Sequence, residues 1–149
     1  MTLKQQIYAR CREMVAGKLQ LLQDQLKELS DSAANETKST AGDKHETALA
    51  MLQLEQEKVR HQLAEAREQR AILDRLDISL PTDKIIMGSL VRTDRGYLFI
   101  SLGLGKIIAD EITVVVLSPR SPLGMKLIGA VVHDQVELYG THYTIEQID

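Results

Sequence analysis

The sequence holds 149 residues, with 18 Lys and Arg against 21 Asp and Glu for a formal net charge of -3. That length supplies about one domain of core at the usual 100 to 200 residues per domain, which excludes a large multidomain enzyme, and 44% hydrophobic with 26% charged residues describes an ordinary globular chain. Mild acidity excludes the basic field of a duplex-binding protein, and five aromatics (Tyr8, Tyr97, Phe99, Tyr139, Tyr143) leave little for base stacking, so the expected partner is a protein, without sequence-specific DNA contact.

The opening segment MTLKQQIYARCRE lacks the apolar core of a secretory signal, and no 18-residue apolar run follows, so a cytoplasmic protein without a membrane span is expected. The single cysteine, Cys11, excludes an internal disulfide and makes a zinc cluster implausible. It shares a helical stripe with Ile7 and Val15, where a small apolar residue is expected; no activating base or oxyanion donor accompanies it, which argues against a nucleophile. Lys4, Arg10, Arg12 and Lys18 face only one acid, Glu13, over the first 20 residues, and a solvated helix face is the simpler reading than a docking patch.

From Val15 the apolar residues Leu19, Leu22, Leu26 and Leu29 recur at spacings of 4, 3, 4 and 3, the seam of a coiled coil. A polar connector is expected from Ser30 to Gly42. Beyond it Leu52, Val59, Ala66 and Leu73 fall seven apart, with Leu63 and Leu76 between them, and the remaining faces are charged. Two stripes that cannot be buried alone predict an antiparallel helical hairpin, on the order of 40 Å long at about 1.5 Å per residue.

Ser39 or Thr40 is the expected N-cap of the second arm. Asp43 and Glu46 follow in its first turn, three apart and therefore on one face. Acids there are favoured by the helix dipole, and Thr40-x-x-Asp43 is itself a capping pattern. Paired carboxylates on one face can also contribute oxygen ligands to a Mg²⁺ whose remaining shell comes from elsewhere.

Near Ser79–Thr82 the composition changes. Residues 1–80 contain five Val and Ile and two Gly; residues 81–149 contain sixteen Val and Ile, seven Gly and all three Pro. Strand formers and turn residues thus replace helix formers, giving two expected domains, 1–79 and 80–149. Strands are expected at Ile85–Val91, Tyr97–Leu102, Ile112–Leu117, Gln135–Tyr139 and Tyr143–Ile148, with hairpin turns at Asp94-Arg95-Gly96 and Gly140-Thr141. Gly103-Leu104-Gly105-Lys106 lacks the pattern of a phosphate loop and is expected as a turn. Ser121 caps a short helix with Pro122 at its first position and Gly129 at its end. The predicted class is α+β: a coiled-coil hairpin, then a small antiparallel sheet with one short helix. The four His (His45, His61, His133, His142) are too scattered for a metal site.

Gly42-Asp43-Lys44-His45-Glu46-Thr47-Ala48 resembles the tip motif of bacterial Gre transcript cleavage and elongation factors, Gly-Asp-x-x-Glu-Asn-Ala, at the same place in the second arm. Gly88-Ser89-Leu90-Val91 resembles their Gly-Ser-x-Val strand. Ser121-Pro122-Leu123-Gly124-Met125-Lys126-Leu127-Ile128-Gly129, followed by His133-Asp134-Gln135-Val136, resembles their Ser-Pro-Leu-x-x-x-Leu-Ile-Gly segment and the Gly-Asp-x-Val after it. The chain departs from the pattern at Thr47, which replaces Asn, and at Leu49-Ala50, which replace an acid-Tyr pair; Glu36 adds an acid to the connector.

The resemblance implies an FK506-binding-protein-like C-terminal domain that docks on RNA polymerase through Ser121, Pro122, Leu123 and Gly124, and a coiled coil that enters the secondary channel. It implies that Asp43 and Glu46 help hold the second Mg²⁺ of the polymerase's own active centre beside the nascent RNA 3′ end, with no cofactor bound by the chain alone. The chain would be an accessory factor that stimulates cleavage of backtracked RNA, not an enzyme in its own right. Relatives of the same shape that regulate or inhibit polymerase without cleavage are the alternative. An isomerase reading, suggested by the fold of the second half alone, lacks an aromatic-lined pocket.

Overall fold

Two long runs of helix formers become α1 (Leu3–Thr37) and α2 (Asp43–Arg75) in this computed structural model, which describes residues 1–37 and 43–149. A reciprocal cap opens α1: Thr2 Oγ1 accepts from the Gln5 amide at 3.1 Å, and Gln5 Oε1 accepts from the Thr2 amide at 2.9 Å. The connector expected from Ser30 is corrected, because Ser30–Thr37 continues α1. Extending an existing helix fixes one residue for each hydrogen bond gained and avoids nucleation, so Ser, Asp and Asn, poor starters of a helix, are carried along with Ala33 and Ala34. Ser39, Thr40 and Gly42, the expected cap and the first residue of the acidic motif, lie outside the described residues.

Packing divides the chain into two compact units, Met14–Ala71 and the combination of Met1–Glu13 with Ile72–Asp149. In the first, Val15, Leu19 and Leu22 of α1 are buried with Val59, Leu63 and Ala66 of α2, the residues that the periodicity selects. Lys18 Nζ donates to Gln69 Oε1 at 3.5 Å across the pair, as antiparallel helices require. One seam position departs from the apolar pattern: Gln56, between Leu52 and Val59, is 9% exposed.

The second unit is built on a six-stranded sheet, β1 (Leu90–Thr93), β2 (Gly96–Ile100), β3 (Gly105–Ala109), β4 (Ile112–Leu117), β5 (Gln135–Leu138) and β6 (Thr141–Ile148), with α3 (Pro122–Leu127) between β4 and β5. Its order is β3-β4-β2-β1-β6-β5. The expected antiparallel sheet is present: all neighbouring pairs are antiparallel except β2 and β4, which run parallel. The parallel pair arises from β3, whose first two residues fall in the stretch Gly103–Lys106 expected as a turn: Ser101–Leu104 carries the chain over the end of β4 to the sheet edge, and β4 returns between β3 and β2. The crossing is held where Ser101 N donates to Leu117 O at 2.9 Å and Leu104 N to Val116 O at 3.2 Å. The first strand also starts later than expected, at Leu90, because Ile85–Gly88 is tied to Ala130 and Ile100 instead of entering the ladder.

Strand alternation creates two apolar faces. Val91, Leu98, Ile100 and Leu117 point to one, where they pack with Ile85, Leu127, Val136 and Ile145, and α3 adds Leu123. Leu90, Phe99 and Val116, which the register aligns, occupy the other, and Phe99 is wholly buried. Burying such a side chain contributes roughly 2–3 kcal/mol. The first turns of α1 lie against this second face: Gln6 Nε2 donates to Asp110 Oδ2 at 2.6 Å, and Cys11 is buried beside Ser101. Tyr8 OH donates to Leu73 O at 2.5 Å, joining the start of α1 to the end of α2.

Candidate functional site: the capped Ser-Pro-Leu turn and the acidic helix start

The Ser-Pro-Leu segment folds by satisfying its own backbone. Ser118 O accepts from the Ser121 amide at 3.0 Å and from Ser121 Oγ at 2.6 Å, while Ser121 Oγ accepts from the Gly124 amide at 3.0 Å. Ser121 is therefore the N-cap of α3, as its sequence position predicts, with Pro122 at the first helical position. Gly129, at φ +85°, ends the helix and donates to Ile85 O at 2.8 Å.

Gly124 is fixed by closeness. A Cβ there would lie 2.0 Å from Ser118 O and 2.8 Å from Ser121 Oγ, so no other residue fits beneath the capping turn. Of the four residues expected to bind a partner, Pro122 is exposed, Ser121 and Leu123 are half-buried and Gly124 is buried. The outward face of the segment also carries Arg120, Met125, Lys126 and Ile128, all exposed, which the motif reading passes over. Met125 and Ile128 are 65% and 42% exposed, one turn apart, and their alternation with buried Gly124 and Leu127 is the signal that could have found them.

The matched segments on either side are equally structural. Ser89 Oγ accepts from the Ile86 amide at 2.9 Å, turning the chain at Gly88, φ +92°, into β1. Asp134 Oδ2 accepts from the Val131 amide at 2.9 Å, and His133, where the Gre pattern has Gly, holds φ +78°. Two further non-glycine pairs or mixtures with positive φ close hairpins: Asp110 (+50°) with Glu111 (+64°), and Tyr139 (+52°) with Gly140 (+82°).

The acidic motif lies in the other compact unit. α2 opens at Asp43, and Glu46, exposed, follows one turn later on the same helix. The side chains of Asp43 and His45 lie outside the described residues. Among the described residues no group of three or more His, Cys, Asp and Glu could hold a metal ion.

The basic residues of the first helix are spent locally. Arg10 pairs with Glu13 at 2.8 Å, and Arg12 pairs with Asp74 at 2.7 Å while lying 5.6 Å over the Tyr8 ring. Burial lowers the Lys4 ammonium below its ordinary value despite the nearby charges of Asp149 and Asp77. Lys4 lines a cavity of about 440 Å³ with Leu3, Leu80, Leu90 and Tyr97, a feature with no motif in the sequence. Burial pushes the Cys11 thiol up to about 11, with the Ser101 hydroxyl opposing weakly. That hydroxyl is itself buried without a well-formed hydrogen bond, so the pair is an inert packing contact and not a nucleophile with its base. No described helix is long and apolar enough to cross a membrane.

No family model and no curated protein matches the chain. Among solved structures it is similar to "the transcription factor Gfh1", at 16% identity over 92% of each chain with a TM-score of 0.37. It is also similar to GreA factor homolog 1 (Gfh1) protein of Thermus thermophilus, at 18% identity over 93% of this chain and 94% of that one, again with a TM-score of 0.37. A TM-score this low carries no argument about function.

Proposed function

We propose that the chain is a Gre-type transcription factor that binds bacterial RNA polymerase, places its helical hairpin in the secondary channel and stimulates the polymerase's own cleavage of backtracked RNA. The observation that carries this reading is the start of α2 at Asp43, with Glu46 one turn on, at the connected end of a two-helix hairpin. The capped Ser-Pro-Leu turn, whose exposed face combines Pro122, Met125 and Ile128 with Arg120 and Lys126, is the proposed docking surface.

In that role Asp43 and Glu46 are oxygen ligands, not nucleophiles. A shared Mg²⁺, when bound in the complex, supplies neutralisation of developing charge on the RNA phosphate. Asp43 and Glu46 stand three residues apart on α2, a spacing that puts two residues on one helix face. The chain needs no metal of its own, and its contact with the RNA 3′ end is indirect.

The test is transcript cleavage in stalled, backtracked elongation complexes. Wild type is expected to shorten the transcripts, and Asp43→Asn with Glu46→Gln to bring cleavage back to the level without factor while polymerase binding persists. Equal stimulation by both proteins would exclude the two acids. One observation favours a second reading, a channel-occupying regulator: where the Gre pattern carries an acid-Tyr pair, Leu49 is half-buried within the hairpin, so that part of the acidic surface is missing. That reading predicts slower nucleotide addition and no shortened transcripts with wild type.

A further inference from the structure

The cavity of about 440 Å³ beside Lys4 lies wholly within the sheet unit, lined by the first turn of α1, by residues 78–81 and by the ends of three strands. Its size falls in the range of small-ligand pockets. The walls are mostly apolar, from Leu3, Ile78, Leu80, Pro81 and Leu90 with one aromatic ring, Tyr97, and Leu80 is 51% exposed there. Among the described lining residues only Lys4 and Asp149 are charged, one of each sign. Asp149 acts on the Lys4 ammonium through space, and no ion pair joins the two among the described residues. Lys4 and Tyr97 are half-buried, and among the described residues neither side chain has a hydrogen-bond partner. Asp77, the other acid near Lys4, is spent on Ser79, accepting from its amide at 3.0 Å and from its hydroxyl. The Asp149 backbone exchanges hydrogen bonds with Leu90 at 2.9 and 3.0 Å, while its carboxylate accepts only a long contact, 3.4 Å, from Gln147 Nε2.

We propose that this cavity binds a free α-amino acid with an aliphatic side chain, its carboxylate on Lys4, its ammonium on Asp149 and its side chain against Leu3, Leu80 and Leu90. A charge drawn out of water is costly unless it is paired and hydrogen-bonded. Burial holds the Lys4 ammonium below its ordinary value even with Asp149 and Asp77 nearby, and a ligand carboxylate supplies the partner that the chain does not. A purely anionic ligand would meet the charge of Asp149, and a purely cationic one that of Lys4. A zwitterion satisfies both, and only its side chain is left for the apolar wall. With one ring in that wall, the fit is to aliphatic carbon and not to an aromatic slot. The site lies in a different compact unit from Asp43 and Glu46 and stands whether or not polymerase is the partner.

Amide chemical-shift titration by NMR on the full chain, with L-leucine as the probe, tests it. Saturable shifts are expected at Leu3, Lys4, Leu80, Leu90 and Tyr97, with a Kd of about 1 mM or tighter. Leucinamide, which lacks the carboxylate, and 4-methylpentanoate, which lacks the amine, are each expected to bind about tenfold more weakly, and glycine, which lacks the side chain, weaker still. Lys4→Met is expected to abolish the advantage of leucine over leucinamide and to keep that over 4-methylpentanoate; Asp149→Asn is expected to do the reverse. The ligands are compared within each variant, so a change of stability does not produce this crossed pattern. No saturable shift with leucine, leucinamide or 4-methylpentanoate binding as tightly as leucine, shifts centred on the hairpin, or the same ligand ranking in both variants would each overturn the site.

Discussion

The two compact units are specified in opposite ways. Met14–Ala71 repeats one interaction, apolar side chain against apolar side chain, so each seam residue has neighbours that do the same work. The sheet unit depends on positions that occur once: Ser121 caps one turn, Gly124 fits under one carbonyl and Phe99 fills one site on one face. Redundancy makes the first tolerant of exchange and tunable in stability. Uniqueness makes the second rigid and leaves it vulnerable to single substitutions. A glycine-to-alanine exchange in each unit breaks the comparison if the two behave alike.

Gly124→Ala carries the largest expected effect. The added methyl would overlap Ser118 O and Ser121 Oγ, and both belong to the capping turn, so backbone must move and the cap hydrogen bonds lengthen. A loss of about 3 kcal/mol is expected, near the top of the range for overpacking, with a matching fall in the urea midpoint. An unchanged midpoint would mean that the turn is soft and the contrast between the units false.

Cys11 tests how well the second sheet face is sealed by the first turns of α1. Its thiol is raised from 9.0 to about 11 by burial, so the folded state holds the proton longer than the unfolded chain does. The sign follows: the contribution is fully present below pH 9 and is lost as pH rises through about 11, amounting to roughly 2–3 kcal/mol. Unfolding curves of wild type and Cys11→Ala are therefore expected to converge between pH 9 and 11, the difference isolating this group from Lys and Tyr. Alkylation at pH 8 is expected only in denaturant; rapid labelling of the folded protein would show that α1 lifts from the sheet.

What could be read in advance follows the same division. The seam was legible because a period repeats: Val15 to Leu22 and Val59 to Leu73 announce themselves by spacing. The exchange of α1 from helix partner to sheet partner left a fainter trace. Ile7 and Cys11 stand four apart, ahead of the seam residues, and both are wholly buried. β3 is hard to read because it opens on Gly105-Lys106 just after Gly103, and because exposed Ile108 stands between buried Ile107 and Ala109, so the residue types Ile-Ile-Ala hide the alternation. Gln56 was invisible to a search for apolar repeats. Of the candidate site, the cap at Ser121 was local and legible, whereas the need for Gly124 depends on Ser118 O, a contact that no pattern of residue types encodes.

Gly17→Ala carries the smallest effect and the opposite sign. Gly17 is exposed in α1, and a Cβ built there meets nothing within 4 Å, so the substitution meets no steric obstacle. Glycine in a helix interior loses more backbone freedom on folding than alanine, and the exchange is expected to stabilise the hairpin by about 1 kcal/mol. A rise of roughly 2–4 °C in the midpoint of the hairpin transition measures it. Because Gly17 lies among the buried seam residues Val15, Leu19 and Leu22, added protection should appear in residues 15–24 and in the part of α2 around Gln69 that faces them. A gain spread evenly along α1 and α2 would instead mean that the hairpin responds as one cooperative helix pair, and the redundancy of its seam would then extend along its whole length.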